Sequence, residues 1–317
     1  MSVLVDLIVM LGMLVVVPAG LRLTGAPELD RIRRLWPLFA VPGAVALWLP
    51  RGGPATVLAG CYALGALLLA LHAPFRAVRA SAAHRTAEIA LFTALVTPSV
   101  AATALVAERS GHALFGFGLG ILALTVPHFH FAGFAAALIA GLVCRVADGP
   151  AGTFAASSVP AGTLLVLIGY FIGDWAELAG AVVLTAGMWT VALLTWRTIR
   201  GSGRDRITRM LFAVSSAVLV ATMVLALSWA LGEATGLPHP TLTWMAATHG
   251  LGNALGFALC SVLAWRRLQD RPEQAPPEQP PPDCPRTERP PAAPALTTSV
   301  RTDPSLTDLT DLKGRTS

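Results

Sequence analysis

Two histidines lie inside an apolar run, in the stretch PHFHFAGF at 127–134. The run covers residues 121–144 and is long enough to cross a bilayer, which needs about 20 apolar residues. Ionisable side chains within such a segment are costly to bury and usually face a bundle interior, a cavity or a polar partner. His128 and His130 therefore require a structural or a functional reason.

A second stretch, THGLGNALGF at 248–257, places a polar pair in the last apolar run. His249 and Asn253 are four residues apart, so they share one face of a helix. At a rise of 1.5 Å per residue, His128, His130 and His249 lie roughly 10–14 Å from the same boundary of their spans. We therefore predict a polar site formed by His128, His130, His249 and Asn253.

The spacing of the first pair limits the chemistry of this site. Side chains at i and i+2 point about 200° apart on a regular helix, so His128 and His130 cannot ligate one ion unless Pro127 distorts the turn. The sequence has no HExxH signature, and nothing specific indicates haem held by histidines of facing helices. We predict no cofactor, and the sequence leaves metal binding undetermined.

Only one histidine of the pair is expected to meet His249. His130 is slightly preferred, with His128 facing another helix, such as one that carries a carboxylate. Asp6, Tyr170, Asp174 and Glu177 are possible supporting residues because the predicted topology puts them toward the same side. The simpler interpretation makes Asp6 an interfacial group and Asp174 and Glu177 solvated turn residues.

Composition indicates a polytopic membrane protein. Of the 317 residues, 54% are hydrophobic and only 13% are charged, compared with about 25% charged residues in soluble domains. The formal charge of +5 comes from arginines in short loops, where positive charge sets membrane orientation. The expected partner is therefore the lipid bilayer, and nucleic acid is not expected.

The apolar runs predict an all-α bundle of about nine spans within residues 1–268. The predicted spans cover residues 3–19, 35–49, 55–71, 86–107, 121–144, a two-span hairpin within 156–199, 210–231 and 241–264. Residues 112–120 would form an interfacial or re-entrant lead-in to the fifth span. Residues 269–317 are Pro-rich and too polar to bury a core, which predicts a disordered tail.

Arginines predict the orientation. In a nine-span topology, fifteen arginines fall in loops on one side and only Arg51 and Arg109 on the other. The positive-inside rule then places the N-terminus outside and the C-terminus in the cytoplasm. Dividing residues 112–144 into two spans would put the five-arginine loop, which includes Arg200 and Arg204, outside.

The PHFHFAGF stretch resembles the His-Phe-His-aromatic-Ala-Gly-Phe motif of the YndJ-like family of bacterial integral membrane proteins. The stretch at 248–257 resembles that family's second motif, and the resemblance covers about residues 1–268. It implies a multi-pass protein of the bacterial plasma membrane, sometimes described as a transporter, without an established substrate. It supplies no catalytic residue.

Three functional hypotheses follow. The first is a transporter for an unknown small molecule or ion, with the histidines lining a polar site in the outer half of the bundle. Histidine suits proton coupling because it titrates near neutral pH. The second is a membrane-embedded redox or metal-dependent enzyme that uses the same histidines, and the third is a structural or assembly protein. The sequence has no GxxxxGK[ST] motif, which argues against direct ATP drive.

Overall fold

The computed structural model describes residues 3–79, 85–147, 149–201 and 204–270, and these ranges contain nine helices and no strand. The helices are α1 Val3–Leu23, α2 Asp30–Ala46, α3 Gly53–Arg79, α4 Arg85–Ser110, α5 Leu119–Val146, α6 Pro150–Ile172, α7 Asp174–Ile199, α8 Arg206–Thr235 and α9 Leu242–Asp270. The prediction of an all-α helical bundle is confirmed.

Eight of these helices are long and apolar enough to cross a membrane. The exception is α2, which corresponds to the predicted second span and has 17 residues, with Pro37 and Pro42 inside it. At 1.5 Å per residue it is about 25 Å long, shorter than the roughly 30 Å of hydrocarbon in a typical bilayer. The predicted number of about nine spans therefore corresponds to eight full-length candidates and one short helix.

Helix α5, which carries the first motif, is the central helix of the bundle. Of its most apolar 18-residue window, 78% is buried, whereas the corresponding share in the other seven candidate spans is at most 56%. Gly133 on α5 lies so close to α4 that a Cβ atom there would be 2.7 Å from the Cβ of Thr97. Small residues at such crossings let membrane helices pack tightly.

The hairpin between α6 and α7 is tighter than its sequence predicts. A single residue, Gly173, separates the two helices, and its φ of 136° is a conformation that suits glycine. The interpretation of Asp174 and Glu177 as turn residues is wrong, because both belong to the first turn of α7. Carboxylates are favoured there because a helix N-terminus carries partial positive charge.

Segments of π-helix interrupt four of the nine described helices. They cover Gly12–Val16 in α1, Phe129–Ala135 in α5, Thr195–Ile199 in α7, and Ala246–Gly250 and Gly252–Leu259 in α9. Both motifs singled out from the sequence thus coincide with π-helix. Pro127 precedes the segment in α5 and has no N–H to donate to the preceding turn. Segments of this kind are frequent at functional sites.

The two ends of the bundle differ in charge. We call the end that contains the α1–α2, α3–α4, α5–α6 and α7–α8 connections the arginine-rich end. There Arg22 pairs with Asp270 at 2.9 Å and Arg267 with Asp205 at 3.3 Å. We call the opposite end, where α1 begins, the N-terminal end.

The residues between α4 and α5 form a tight turn at the N-terminal end of the bundle. Leu114 and Phe117 pair across this turn, and the Phe117 ring packs edge-on against Tyr170 and Phe171 of α6. Residues 202–203 and 271–317, which include most of the predicted tail, lie outside the described residues, so the tail stays a prediction.

Candidate binding site: a cavity between the two motifs

A cavity of about 250 Å³ lies between α1 and helices α5 to α9. Its walls are mainly apolar, with side chains such as Ile8, Phe131, Leu184 and Met223. The polar or partly polar residues that line it are Thr125, His128, Tyr170, Glu177, Trp229, His249 and Asn253. A mostly apolar cavity with a few converging polar groups is the usual form of a small-molecule site.

His128 is the least constrained histidine of the cavity. It is half-buried, and its side chain makes no hydrogen bond to another residue of the described ranges. Its ring centroid lies 6.5 Å from that of Tyr170 on α6 and 5.3 Å from that of Phe129. The imidazole is therefore held by ring contacts, while its nitrogens are available to a ligand or water in the cavity.

His249 belongs to a closed ring of hydrogen bonds between α8 and α9. Its Nδ1 donates to the Thr222 carbonyl oxygen at 2.8 Å, which leaves Nε2 to accept from Asn253 Nδ2 at 3.1 Å. The Thr222 hydroxyl donates to Asn253 Oδ1 at 2.8 Å and closes the ring. This arrangement fixes the His249 tautomer and joins the two helices.

Close contact between the helices makes this ring possible. A Cβ atom on Gly252 would lie 2.8 Å from Thr222 Cγ2, and one on Gly256 would lie 2.6 Å from Val218 Cγ1. Gly250, by contrast, has no neighbour this close. The second motif therefore combines two polar side chains with two glycines that let α8 approach them.

His130 lies outside the cavity. It is 0% exposed, and its Nε2 shares a hydrogen bond of 2.5 Å with the Tyr62 hydroxyl of α3. The expectation that His130 faces His249 is therefore wrong, and His128 shares the cavity with His249 instead. The two histidines point in different directions, as their spacing predicts, even though the chain changes from α-helix to π-helix between them.

The surroundings of His130 form a buried polar cluster that the sequence does not reveal. Tyr62 packs edge-on against Trp36 of α2, with ring centroids 5.8 Å apart, and Trp36 Nε1 donates to the Met13 carbonyl oxygen at 2.8 Å. Met13 lies in the π-helical segment of α1, and a Cβ atom on Gly12 would lie 2.9 Å from the His130 ring. The cluster thus connects α1, α2, α3 and α5.

The four supporting residues divide into two pairs. Tyr170 and Glu177 line the cavity. Asp6 and Asp174 do not. The Asp6 residue is only 5% exposed and is buried on another face of α1, whereas Asp174 is exposed. The Asp6 carboxyl interacts electrostatically with Glu108 and Arg109, and its Oδ1 has no hydrogen-bond partner in the described part of the chain.

Arg109 and Glu108 form a buried ion pair at the N-terminal end. Glu108 also accepts from Arg51 at 2.8 Å, and Arg109 donates to the carbonyl oxygens of Leu47 and Leu49 after α2. The only two arginines that the predicted topology places at this end are therefore bound to one carboxylate, outside the cavity.

The histidines do not assemble a metal site. Across residues 3–79, 85–147, 149–201 and 204–270, no group of three or more His, Cys, Asp or Glu side chains is placed to hold an ion. Two further residues, Thr222, which bonds His249 and Asn253, and Trp229, which lines the cavity, could not be selected from the sequence. Threonine and tryptophan are common in membrane helices, and no spacing distinguishes these two.

Comparison with known proteins identifies one family. A family profile described as YndJ-like protein matches residues 7–257, which include both motifs and every residue that lines the cavity except Val5. No curated protein and no solved structure matches the chain. Because the profile covers most of the chain and the helices can cross a bilayer many times, the chain is a multi-pass membrane protein that belongs to the YndJ-like family.

Proposed function

We propose that the protein is a transporter of the bacterial plasma membrane whose substrate binds in the cavity between the two motifs. The observation that supports this proposal is that the π-helical segments of both motifs meet at one cavity, where six helices converge. At this cavity the His128 side chain has no hydrogen-bond partner among the described residues. Local departures from α-helix expose backbone groups within a membrane and are tolerated where they line a cavity or pack against protein.

The arginine distribution supports the proposed orientation. The N-terminus would be outside and the C-terminus in the cytoplasm, because the arginine-rich end would then face the cytoplasm. Three polar or partly polar residues of the cavity, Tyr170, Glu177 and Trp229, lie toward the N-terminal end of the bundle. In this orientation that part of the cavity would lie in the outer half of the membrane.

The residues at and near the cavity would have two roles: some would bind the substrate and others would support the site. His128 offers a nitrogen donor and a nitrogen acceptor to a substrate or to a proton. His249 and Asn253 have their nitrogens engaged with each other and with Thr222, so they would form a fixed polar wall. His130, bonded to Tyr62, would hold the α5 segment in place from behind.

Site-directed labelling tests whether the cavity opens to both sides of the membrane. In a background where Cys61, Cys144, Cys260 and Cys284 are replaced by serine, Ala246→Cys puts a thiol on the cavity wall. Ala254→Cys is the matched control, because Ala254 lies two turns further along α9 and is fully buried without lining the cavity.

A transporter predicts that a membrane-impermeant thiol reagent modifies Ala246→Cys in right-side-out vesicles and, more slowly, in inverted vesicles. Ala254→Cys should stay unreactive in both. Modification from one side alone, even after long exposure, would contradict transport and favour a receptor or a structural protein with an external pocket.

A further inference from the structure

The fixed charge on the cavity wall is negative. Glu177 is the only carboxylate on the cavity wall, and no lysine or arginine of the described helices lines it. Asp174 and Glu233 act electrostatically on Glu177 and add negative charge near its end of the bundle, and Glu233 also lies 3.0 Å from His239 Nε2. Arg51 and Arg109 do not compensate for this charge, because both are paired with Glu108.

From this arrangement we infer that the cavity binds a small organic cation, an ammonium group on a mainly apolar body, with Glu177 as its counter-charge. The inference rests on the proposed function, since it assigns the substrate class of that same cavity. Glu177 is half-buried, and its carboxylate has no hydrogen bond or ion pair with any residue of the described ranges. A carboxylate at an apolar wall without a partner is costly, and a bound cation would remove that cost.

The walls fit an organic ammonium better than a metal ion. Ca²⁺ needs six to eight oxygen ligands and Mg²⁺ keeps a near-octahedral shell of oxygens, and this cavity offers few oxygen atoms among many apolar side chains. The aromatic rings of Tyr170 and Trp229 also line the cavity. Ring faces attract ammonium groups, most strongly where water is excluded.

Anionic substrates fit less well. Recognition of a carboxylate or phosphate commonly uses arginine or lysine, and neither lines the cavity in the described part of the chain. The donors available are His128, the Tyr170 hydroxyl and the Trp229 Nε1–H, whose nitrogen is buried without a hydrogen-bond partner there. These donors suit a neutral acceptor group on the same ligand, while Glu177 opposes an anion.

Two probes of similar size and opposite charge test the inference. Benzyltrimethylammonium and phenylmethanesulfonate share one aromatic ring and differ in the sign of the head group. Binding is measured by equilibrium dialysis and by the ligand-dependent rise in Tm. The full-length protein is kept in a maltoside detergent, which carries no ammonium group. The variants are Glu177→Gln and, as matched control, Asp174→Asn, which removes an exposed charge one turn away on α7.

The wild-type protein should bind the cation and not the sulfonate. Asp174→Asn should show the same preference and lose much less cation affinity than Glu177→Gln, because Asp174 does not line the cavity. Glu177→Gln should weaken cation binding by about tenfold or more, as expected when one partner of a buried charge pair is lost. Equal binding of both probes, preference for the sulfonate, or a cation affinity unchanged by Glu177→Gln would overturn the assignment.

A protection experiment tests the inference without the Glu177 variant, so its result does not depend on whether that variant folds. Benzyltrimethylammonium should slow the modification of Ala246→Cys, and phenylmethanesulfonate at the same concentration should not. Two-sided labelling without protection by the cation would leave transport in place and refute the substrate class. One-sided labelling with protection would refute transport and retain cation binding.

Discussion

Two histidines two residues apart have different surroundings in this protein, and the difference comes from their neighbours. His128 faces an open volume and touches Phe129 and Tyr170, whereas His130 is fully buried against Tyr62 and Gly12. A histidine on a cavity wall can be replaced without loss of packing. One that fills a closed space and bonds a buried hydroxyl cannot, because its removal leaves a cavity and an unpaired group.

We predict that His130→Ala lowers the stability of the folded protein much more than His128→Ala. The unpaired Tyr62 hydroxyl alone should cost about 1–3 kcal/mol, and lost packing adds to that. The measurement is thermal unfolding of both variants in detergent, with Tyr62→Phe as a control that removes the same hydrogen bond from the other side. Equal values of Tm for His128→Ala and His130→Ala would contradict this division of roles.

Among the helices, α8 and α9 are joined by close contact and by polar groups along their shared face. Gly256 lies against Val218 near the middle of the face, and the ring formed by Thr222, His249 and Asn253 lies beside it. At the arginine-rich end, Asp205 caps α8 and pairs with Arg267 of α9. Interhelical hydrogen bonds in membranes contribute only about 0.6–2 kcal/mol each, so tight packing is needed as well.

We predict that Gly256→Ala destabilises the contact between α8 and α9 and that Val218→Ala restores it. The new methyl group would lie 2.6 Å and 2.8 Å from the two Val218 methyl groups. Val218→Ala removes both and leaves the Val218 Cβ atom at 3.0 Å, which a small shift of the helices relieves. The measurement is Tm for the two single variants and the double variant. A double variant no more stable than Gly256→Ala would show that the glycine has another role.

A second prediction for these elements concerns pH. Hydrogen bonds from the Thr208 backbone and side chain, with Arg267 nearby, lower the pKa of Asp205 to about 2. In the unfolded chain the pKa of an aspartate is about 4. A lowered pKa means that the contribution of Asp205 to stability is complete above about pH 4 and is lost as pH falls through about 2.

The difference in Tm between wild type and Asp205→Ala should therefore stay constant from pH 5 to pH 8. Asp205→Asn should lose less than Asp205→Ala, because asparagine is an equally good N-cap. A difference that disappears between pH 7 and pH 6 would assign the capping interaction to some other titrating group.

For the whole molecule, the two ends of the bundle carry different ion pairs. At the arginine-rich end, ion pairs connect α1 to α9 and α8 to α9. At the N-terminal end, Glu108 and Arg109 of α4 form a separate cluster with Arg51 of the turn between α2 and α3. The orientation itself follows from the larger number of arginines in the loops at the arginine-rich end, which the positive-inside rule places in the cytoplasm.

We predict that a cysteine replacing Asp174 is labelled from outside intact cells and that one replacing Gly203 is labelled only after the membrane is opened. Asp174 is exposed at the N-terminal end of the bundle, and position 203, outside the described residues, belongs to the most basic loop. The reagent is a membrane-impermeant maleimide in the cysteine-free background. External labelling at position 203 would reverse the orientation and move the cavity to the cytoplasmic half of the membrane.

The amino-acid sequence alone is enough to predict the helical class, the approximate spans and the two motifs, because these depend on local composition and on the length needed to cross hydrocarbon. It also determined that His128 and His130 diverge, because that follows from helix geometry. The sequence does not show which of the two histidines shares the cavity with His249, because this depends on the packing of distant helices. That outcome depends on Tyr62 of α3 and Gly12 of α1, both distant in sequence, which form a closed space that His130 fills and leave His128 to the cavity.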